Sequence, residues 1–185
     1  MPIKRLERGL VHIITGDGPG KTTSALGLCL RAIGHGLRAC VIQFMKAGVA
    51  WWEEERCEVG EVVAARYLPN FTILSFGREA WFSEDEIDEE RKYAERGLKT
   101  AREIVRSGKY DVVVLDEVNM ALHYGLLSME DVIDLIKIKP PHVELILTGR
   151  NAPEELYELA DYVVEIRKIK HPFDRNVRER RGIEY

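Results

Sequence analysis

The sequence predicts an α/β fold: a mostly parallel six-stranded sheet with helices on both faces. Three observations predict it. Short, nearly continuous apolar runs rich in β-branched residues recur along the chain, as strands buried on both faces require. Segments of helical periodicity separate them, which is the alternation of a parallel sheet. The first apolar run also leads directly into Gly16-Asp17-Gly18-Pro19-Gly20-Lys21-Thr22-Thr23, a glycine-rich turn closed by lysine and threonine. Together they define a P-loop NTPase (RecA-like) type of fold. With 185 residues the chain is read as a single nucleotide-binding domain, 1–185, whose residues 167–185 form a polar, basic tail. A chain of this size buries about 70% of its unfolded surface without staples.

Each element has its own warrant. Leu10 to Ile14 is the first strand, and Ser24 to Ala32 the first helix. Gly34-His35-Gly36 breaks that helix before a second strand, Arg38 to Phe44. Residues 47–66, with Trp51 and Trp52, lack clear periodicity and are read as a mobile excursion over a site. Phe71 to Phe76 is the third strand. Ser83-Glu84-Asp85-Glu86 reads as a capping box opening a long helix, whose Ile87, Ala94, Leu98, Ala101 and Val105 mark one buried face. Asp111 to Leu115 is the fourth strand. Ser128-Met129-Glu130-Asp131 is a second capping box, before a helix carrying Val132, Leu135 and Ile136. Val143 to Leu147 is the fifth strand, Asn151 to Glu154 starts a short helix, and Tyr162 to Ile166 is the sixth strand.

The glycine turn carries the chemistry. Glycines at 16, 18 and 20 clear side chains from a tight turn, so that successive backbone N–H groups can point at an anion. Lys21 supplies positive charge for outer phosphates, Thr22 offers a hydroxyl to Mg²⁺, and the helix that follows adds a favourable field. A strict G-x-x-x-x-G-K-[ST] pattern has glycine at position 15, where Thr15 stands here. The candidate nucleotide-binding stretch runs from Thr15 to Thr23. At the end of the fourth strand Asp116 is the expected magnesium partner, with Glu117 as a second ligand or, in a hydrolase, the base that orients water. In an open α/β sheet, ligands bind beyond the carboxyl ends of the strands, where all these motifs fall.

A net charge of −4 argues against a generic nucleic-acid binder. Cys29, Cys40 and Cys57 form no C-x-x-C pair and suit a reducing cytosol, with Cys29 a small core residue. The first residues lack the apolar stretch of a signal peptide, and no run is long enough to span a membrane, so the expected location is cytoplasmic. His12 reads as a packed core histidine, and none of the five histidines has metal-ligand spacing. No Ser-His-Asp or Cys-His arrangement is evident. On these residues alone a P-loop ATPase or phosphotransferase and a non-enzymatic ATP-binding module both stand.

Over nearly its whole length the chain resembles the P-loop corrinoid adenosyltransferases, also called cob(I)yrinic acid a,c-diamide adenosyltransferases. The resemblance rests on the glycine loop, on Arg31-Ala32-Ile33-Gly34-His35-Gly36 and on Val41-Ile42-Gln43-Phe44-Met45-Lys46. It continues through Asp111 to Glu117, Leu147-Thr148-Gly149-Arg150 and Leu159-Ala160-Asp161, and ends in the tail from Lys170-His171-Pro172-Phe173-Asp174 to Gly182-Ile183-Glu184-Tyr185. The family's loop has a lysine where Pro19 stands, so this chain lacks one positive charge and one backbone donor there. The resemblance implies transfer of the 5′-deoxyadenosyl group from ATP to the Co(I) of a reduced corrinoid, cobalamin or a precursor, with release of triphosphate. It implies Mg²⁺ as cofactor, a homodimer, and a reductase that supplies the reduced substrate. It also assigns Arg150 to the nucleotide, and Trp81 and Phe82 to the corrinoid face.

Overall fold

The computed structural model describes residues 5–52, 55–79 and 84–185. Among the described residues eight strands form, β1 (Val11–Thr15), β2 (Ala39–Phe44), β3 (Val49–Trp52), β4 (Glu55–Glu58), β5 (Phe71–Phe76), β6 (Val112–Asp116), β7 (Glu144–Thr148) and β8 (Tyr162–Glu165). The α-helices are α1 (Lys21–Gly34), α2 (Gly60–Ala65), α3 (Ile87–Ser107), α4 (Val118–His123) and α5 (Met129–Lys137). Six strands make one sheet in the order β5-β2-β6-β7-β1-β8, and every pairing is parallel. The remaining two form an antiparallel hairpin of their own.

Strand alternation divides the core into two layers. Ile14, Ala39, Val41, Val112, Val114 and Ile146 face α1, packing on Ala25 and Cys29. Their neighbours Ile13, Cys40, Ile42, Val113, Leu115, Leu145 and Leu147 face the opposite way, onto α3, α4 and α5. Both faces of the central strands are therefore apolar, which is why those strands read as continuous rather than alternating runs. Cys29 and Cys40 are fully buried, and burial pushes both thiols up to about 12. Among the described residues no helix is long and apolar enough to cross a membrane.

Two local expectations change. Within 47–66 the described residues form the β3–β4 hairpin and α2, where the sequence showed no element. The hairpin's cross-strand hydrogen bonds need no amphipathic repeat, so periodicity could not announce it. Ser83 lies outside the described residues, and α3 itself begins at Ile87 after a 3₁₀ turn over Glu84–Glu86. The N-cap of the second box forms as read, with Ser128 Oγ accepting from the Asp131 N–H at 3.1 Å and donating to Asp131 Oδ2 at 2.7 Å. His12 is half-buried and polar in its contacts. Its ring stacks on Tyr162 at 4.5 Å and pairs with Glu144 at 2.5 Å.

Candidate functional site

The sheet order sets the site. Chain β1 leads through α1 to β2 across β7 and β6, while β8 adds on the other side of β1, so the strand order diverges at the end of β1. Such a divergence point, beyond the strand ends, is where open α/β sheets bind their ligands.

Gly16 holds φ +100° with the place of its missing Cβ 2.3 Å from the Ile166 carbonyl oxygen, so no side chain fits. The loop is tied to the chain leaving β8. Ile166 N–H donates to Thr15 O at 2.8 Å, Gly18 N–H donates to Ile166 O at 2.8 Å, and Lys168 N–H donates to Asp17 Oδ1 at 3.1 Å. That last bond holds the exposed Asp17 carboxyl below its usual range. Gly18 thus spends its amide on this tie, which corrects the picture of every loop N–H turned inward. Thr15, the residue that breaks the strict pattern, is buried and accepts from Ala152 N–H at 3.2 Å. Pro19 and Thr23 are exposed.

Gly20, at φ +107°, caps α1 with no side chain, and the first turn of α1 carries no acidic residue. The orphan amides at that end keep their field for an anion. Lys21 is buried beneath the loop and donates from Nζ to Gly18 O at 2.8 Å. Burial lowers its proton affinity, with Glu117 opposing and Arg150 assisting that change.

Opposite the loop stands Asp116, 0% exposed at the end of β6. Its Oδ1 accepts from Thr22 Oγ1 at 2.9 Å and Thr148 Oγ1 at 2.7 Å, and its Oδ2 accepts from Lys46 Nζ at 2.7 Å and Gln43 Nε2 at 3.5 Å. Burial alone would push this carboxyl up, but Lys46 and the two hydroxyls hold it below its usual range. Lys46 also reaches Thr22 Oγ1 at 3.3 Å. Glu117 adopts φ +62° and is half-buried. Burial raises it above the usual carboxylate range against the pull of Lys46.

The turn after β7 supports this cluster. Thr148 Oγ1 accepts from the Glu117 N–H at 3.1 Å while donating to Asp116. Gly149, at φ +130°, lets the backbone press on α4, where Asn119 Nδ2 donates to its carbonyl at 3.2 Å. Arg150 is exposed and within electrostatic reach of Lys21, Asp17 and Glu117. Trp81 and Phe82 lie outside the described residues.

The fold therefore brings Lys21, Thr22, Asp116 and Glu117 together, with Arg150 at the margin. Lys46, Gln43 and Thr148 are site residues that had no assigned role. All three stood in quoted motifs, and a lysine just past a strand that ends beside the phosphate loop was the usable signal. Hard oxygen donors from Thr22 and Asp116, 2.9 Å apart, suit a small divalent cation that keeps waters and phosphate as its other ligands. The Lys46 ammonium already holds a positive charge against Asp116.

An all-parallel sheet flanked by helices, with this loop at its divergence point, defines an α/β protein of the P-loop NTPase type. Residues 7–185 match the family described as ATP:corrinoid adenosyltransferase BtuR/CobO/CobP, and the chain belongs to that family. It is 36% identical over its full length to a corrinoid adenosyltransferase of Sinorhizobium sp, covering 84% of that protein. It is 34% identical to the corrinoid adenosyltransferase CobA of Salmonella typhimurium, with 97% of this chain and 87% of the relative covered. The corrinoid adenosyltransferase of Escherichia coli K12 is 33% identical over the same shares.

Proposed function

We propose that this protein is an ATP-dependent corrinoid adenosyltransferase acting in adenosylcobalamin biosynthesis or salvage. The electron pair of Co(I) becomes a bond to the ribose C5′, the C5′–O bond breaks, and triphosphate leaves with the electrons of that C5′–O bond. The observation that carries the reading is a built anion site, Lys21 and the open end of α1, beside a Thr22–Asp116 pair 2.9 Å apart, in a chain that matches this family over residues 7–185. Co(I) is its own nucleophile, so the protein has no need to create one. The buried, high-pKa thiols of Cys29 and Cys40 suit that division of labour.

In this mechanism the loop and Lys21 grip the phosphates, and Arg150 adds charge where the leaving group grows negative. Thr22 and Asp116, with Glu117 beside them, would hold Mg²⁺, which supplies further neutralisation of the leaving triphosphate. Thr148 and Gln43 keep the Asp116 carboxylate aimed, so that substrate geometry is set before reaction. Trp81 and Phe82, between β5 and α3 in sequence, are assigned to the corrinoid face. The cytoplasmic location, the supply of reduced corrinoid by a reductase and the homodimer belong to the same proposal. The exposed Tyr162, Val163 and Val164 on edge strand β8 support a second copy.

Mixing the protein with ATP, Mg²⁺ and chemically reduced cobalamin tests the reading. Loss of the Co(I) absorbance with one inorganic triphosphate per adenosylated corrinoid is the expected result. ADP and phosphate as products would favour an ATPase or phosphotransferase instead, and ATP binding with no corrinoid turnover a binding module.

A further inference from the structure

A second cavity, of about 320 Å³, adjoins the Asp116 cluster through Lys46. Lys46, Gly48, Val59, Arg78, Glu90 and Glu179 are among the residues that line it. Lys46 belongs to both this cavity and the Asp116 cluster, so the two spaces are neighbours. The volume is at the low end for a ligand pocket. It has room for a substituent of a corrin ring but not for the macrocycle.

Glu90 is the unusual residue in its wall. It lies on the buried face of α3, only 1% exposed. Its Oε2 accepts from the Arg78 N–H at 3.2 Å, whereas its Oε1 is buried with no hydrogen-bond partner among the described residues. Burial raises the proton affinity of this carboxyl, with Arg78 pulling the other way, as expected of an acceptor short of donors. Arg78 pairs through Nη2 with Glu86 at 2.6 Å, yet its Nη1 is also buried with no hydrogen-bond partner among the described residues. One donor and one acceptor are thus left over on two residues already bonded to each other. Burying unsatisfied groups is costly, so a matched pair of them on two residues that line one cavity points to a ligand.

Resting on the corrinoid reading above, we infer that Arg78 and Glu90 form a cradle for one primary carboxamide on the corrin rim. Arg78 donates to the amide oxygen, and Glu90 accepts from the amide nitrogen. Corrin rings carry acetamide and propionamide arms, each ending in one acceptor and one donor group of this kind. A free carboxylic acid at the same position would satisfy Arg78 but set a second negative charge against Glu90. The cradle therefore selects amidated corrinoids over their acids at one rim position.

The test uses the full chain, ATP, Mg²⁺, reduced cobalamin and the separate monocarboxylic acids made by hydrolysing single rim amides. With wild-type protein, one acid isomer should show a KM at least tenfold above that of cobalamin. Glu90→Gln has the same shape and can donate to a carboxylate, so it should shrink that ratio to about threefold or less. Arg78→Gln should raise KM for cobalamin at least fivefold while the ATP dissociation constant stays put. Equal KM values for all isomers, or a ratio and a cobalamin KM untouched by both variants, would overturn the cradle and leave cobalamin adenosylation intact. Failure of the wild-type protein to turn over any reduced corrinoid overturns the corrinoid reading, and the cradle with it.

Discussion

Lys46 and Asp116 form a pair in which one partner is fully enclosed and the other keeps 30% of its surface. Removing only the lysine strands a buried carboxylate, and breaking buried pairs this way costs about 3–5 kcal/mol. Lys46→Ala should lose somewhat less, about 2–4 kcal/mol, because water can reach the vacated side. Its pH dependence has a definite sign. In the wild-type protein Asp116 sits below its usual range, so its contribution is present above the unfolded pKa and is lost as pH falls through the lower folded value. Without Lys46, burial dominates and the folded pKa rises above the unfolded one. The penalty then exists at high pH and fades as acid protonates the group. The stability gap between variant and wild type should narrow between pH 8 and pH 5, as read by urea unfolding. A gap that is constant or widens on acidification would contradict this account. Saturating Mg²⁺ and ATP should also close part of it, since a divalent cation at Thr22 and Asp116 replaces the missing charge.

At the scale of elements, the join between β1, the loop and β8 is fixed by backbone contacts. Two glycines there separate strain from collision. Gly16 and Gly20 both have positive φ, but a Cβ on Gly16 would meet Ile166 O at 2.3 Å, while one on Gly20 meets nothing within 4 Å. Gly20→Ala should cost about 1–2 kcal/mol from backbone strain alone. Gly16→Ala must also displace the end of β8, and should cost at least twice as much in the same denaturant titration. Equal losses would show that Ile166 does not wall the loop. How much of this was readable in the sequence follows from what each feature depends on. The six sheet strands and α1 were legible because local apolar runs and a glycine-lysine-threonine turn specify them. The Asp116 partner of the loop was legible because it ends such a run. The hairpin was not, because its short strands carry no apolar repeat, and the tie between Gly18 and Ile166 and the role of Lys46 were not, because each depends on residues distant in sequence. Glu90 left a trace that went unused. It stands three residues after Ile87 and four before Ala94, a charge inside the apolar stripe of α3.

Across the whole molecule, the tail spans the mouth of the site. It leaves β8 at the sheet edge, ties down the loop through Ile166 and Lys168, and brings Glu179 to the wall of the second cavity. Its last residue, Tyr185, lies within 3.8 Å of the space beside Gly60 on α2, which packs against β5 at the far edge of the sheet. A strap of this length crosses the carboxyl ends of the strands while contributing little to the core, for Ile169, Phe173 and Ile183 are all exposed. Several of its own bonds are internal, such as Lys168 with Asp174 and Arg180 with Glu184. Deleting residues 169–185 should therefore leave the sheet folded, with a melting temperature within about 4 °C of the full chain, a shift that corresponds to no more than ~1 kcal/mol. The loop keeps its ties to Ile166 and Lys168, so ATP affinity should change by less than threefold. The corrinoid side loses one wall, and KM for reduced cobalamin should rise tenfold or more. The split between the two substrates is the decisive reading, because general destabilisation would weaken both. Parallel loss of ATP and corrinoid affinity would make the tail a structural part of the domain, and an unchanged corrinoid KM would remove it from the site.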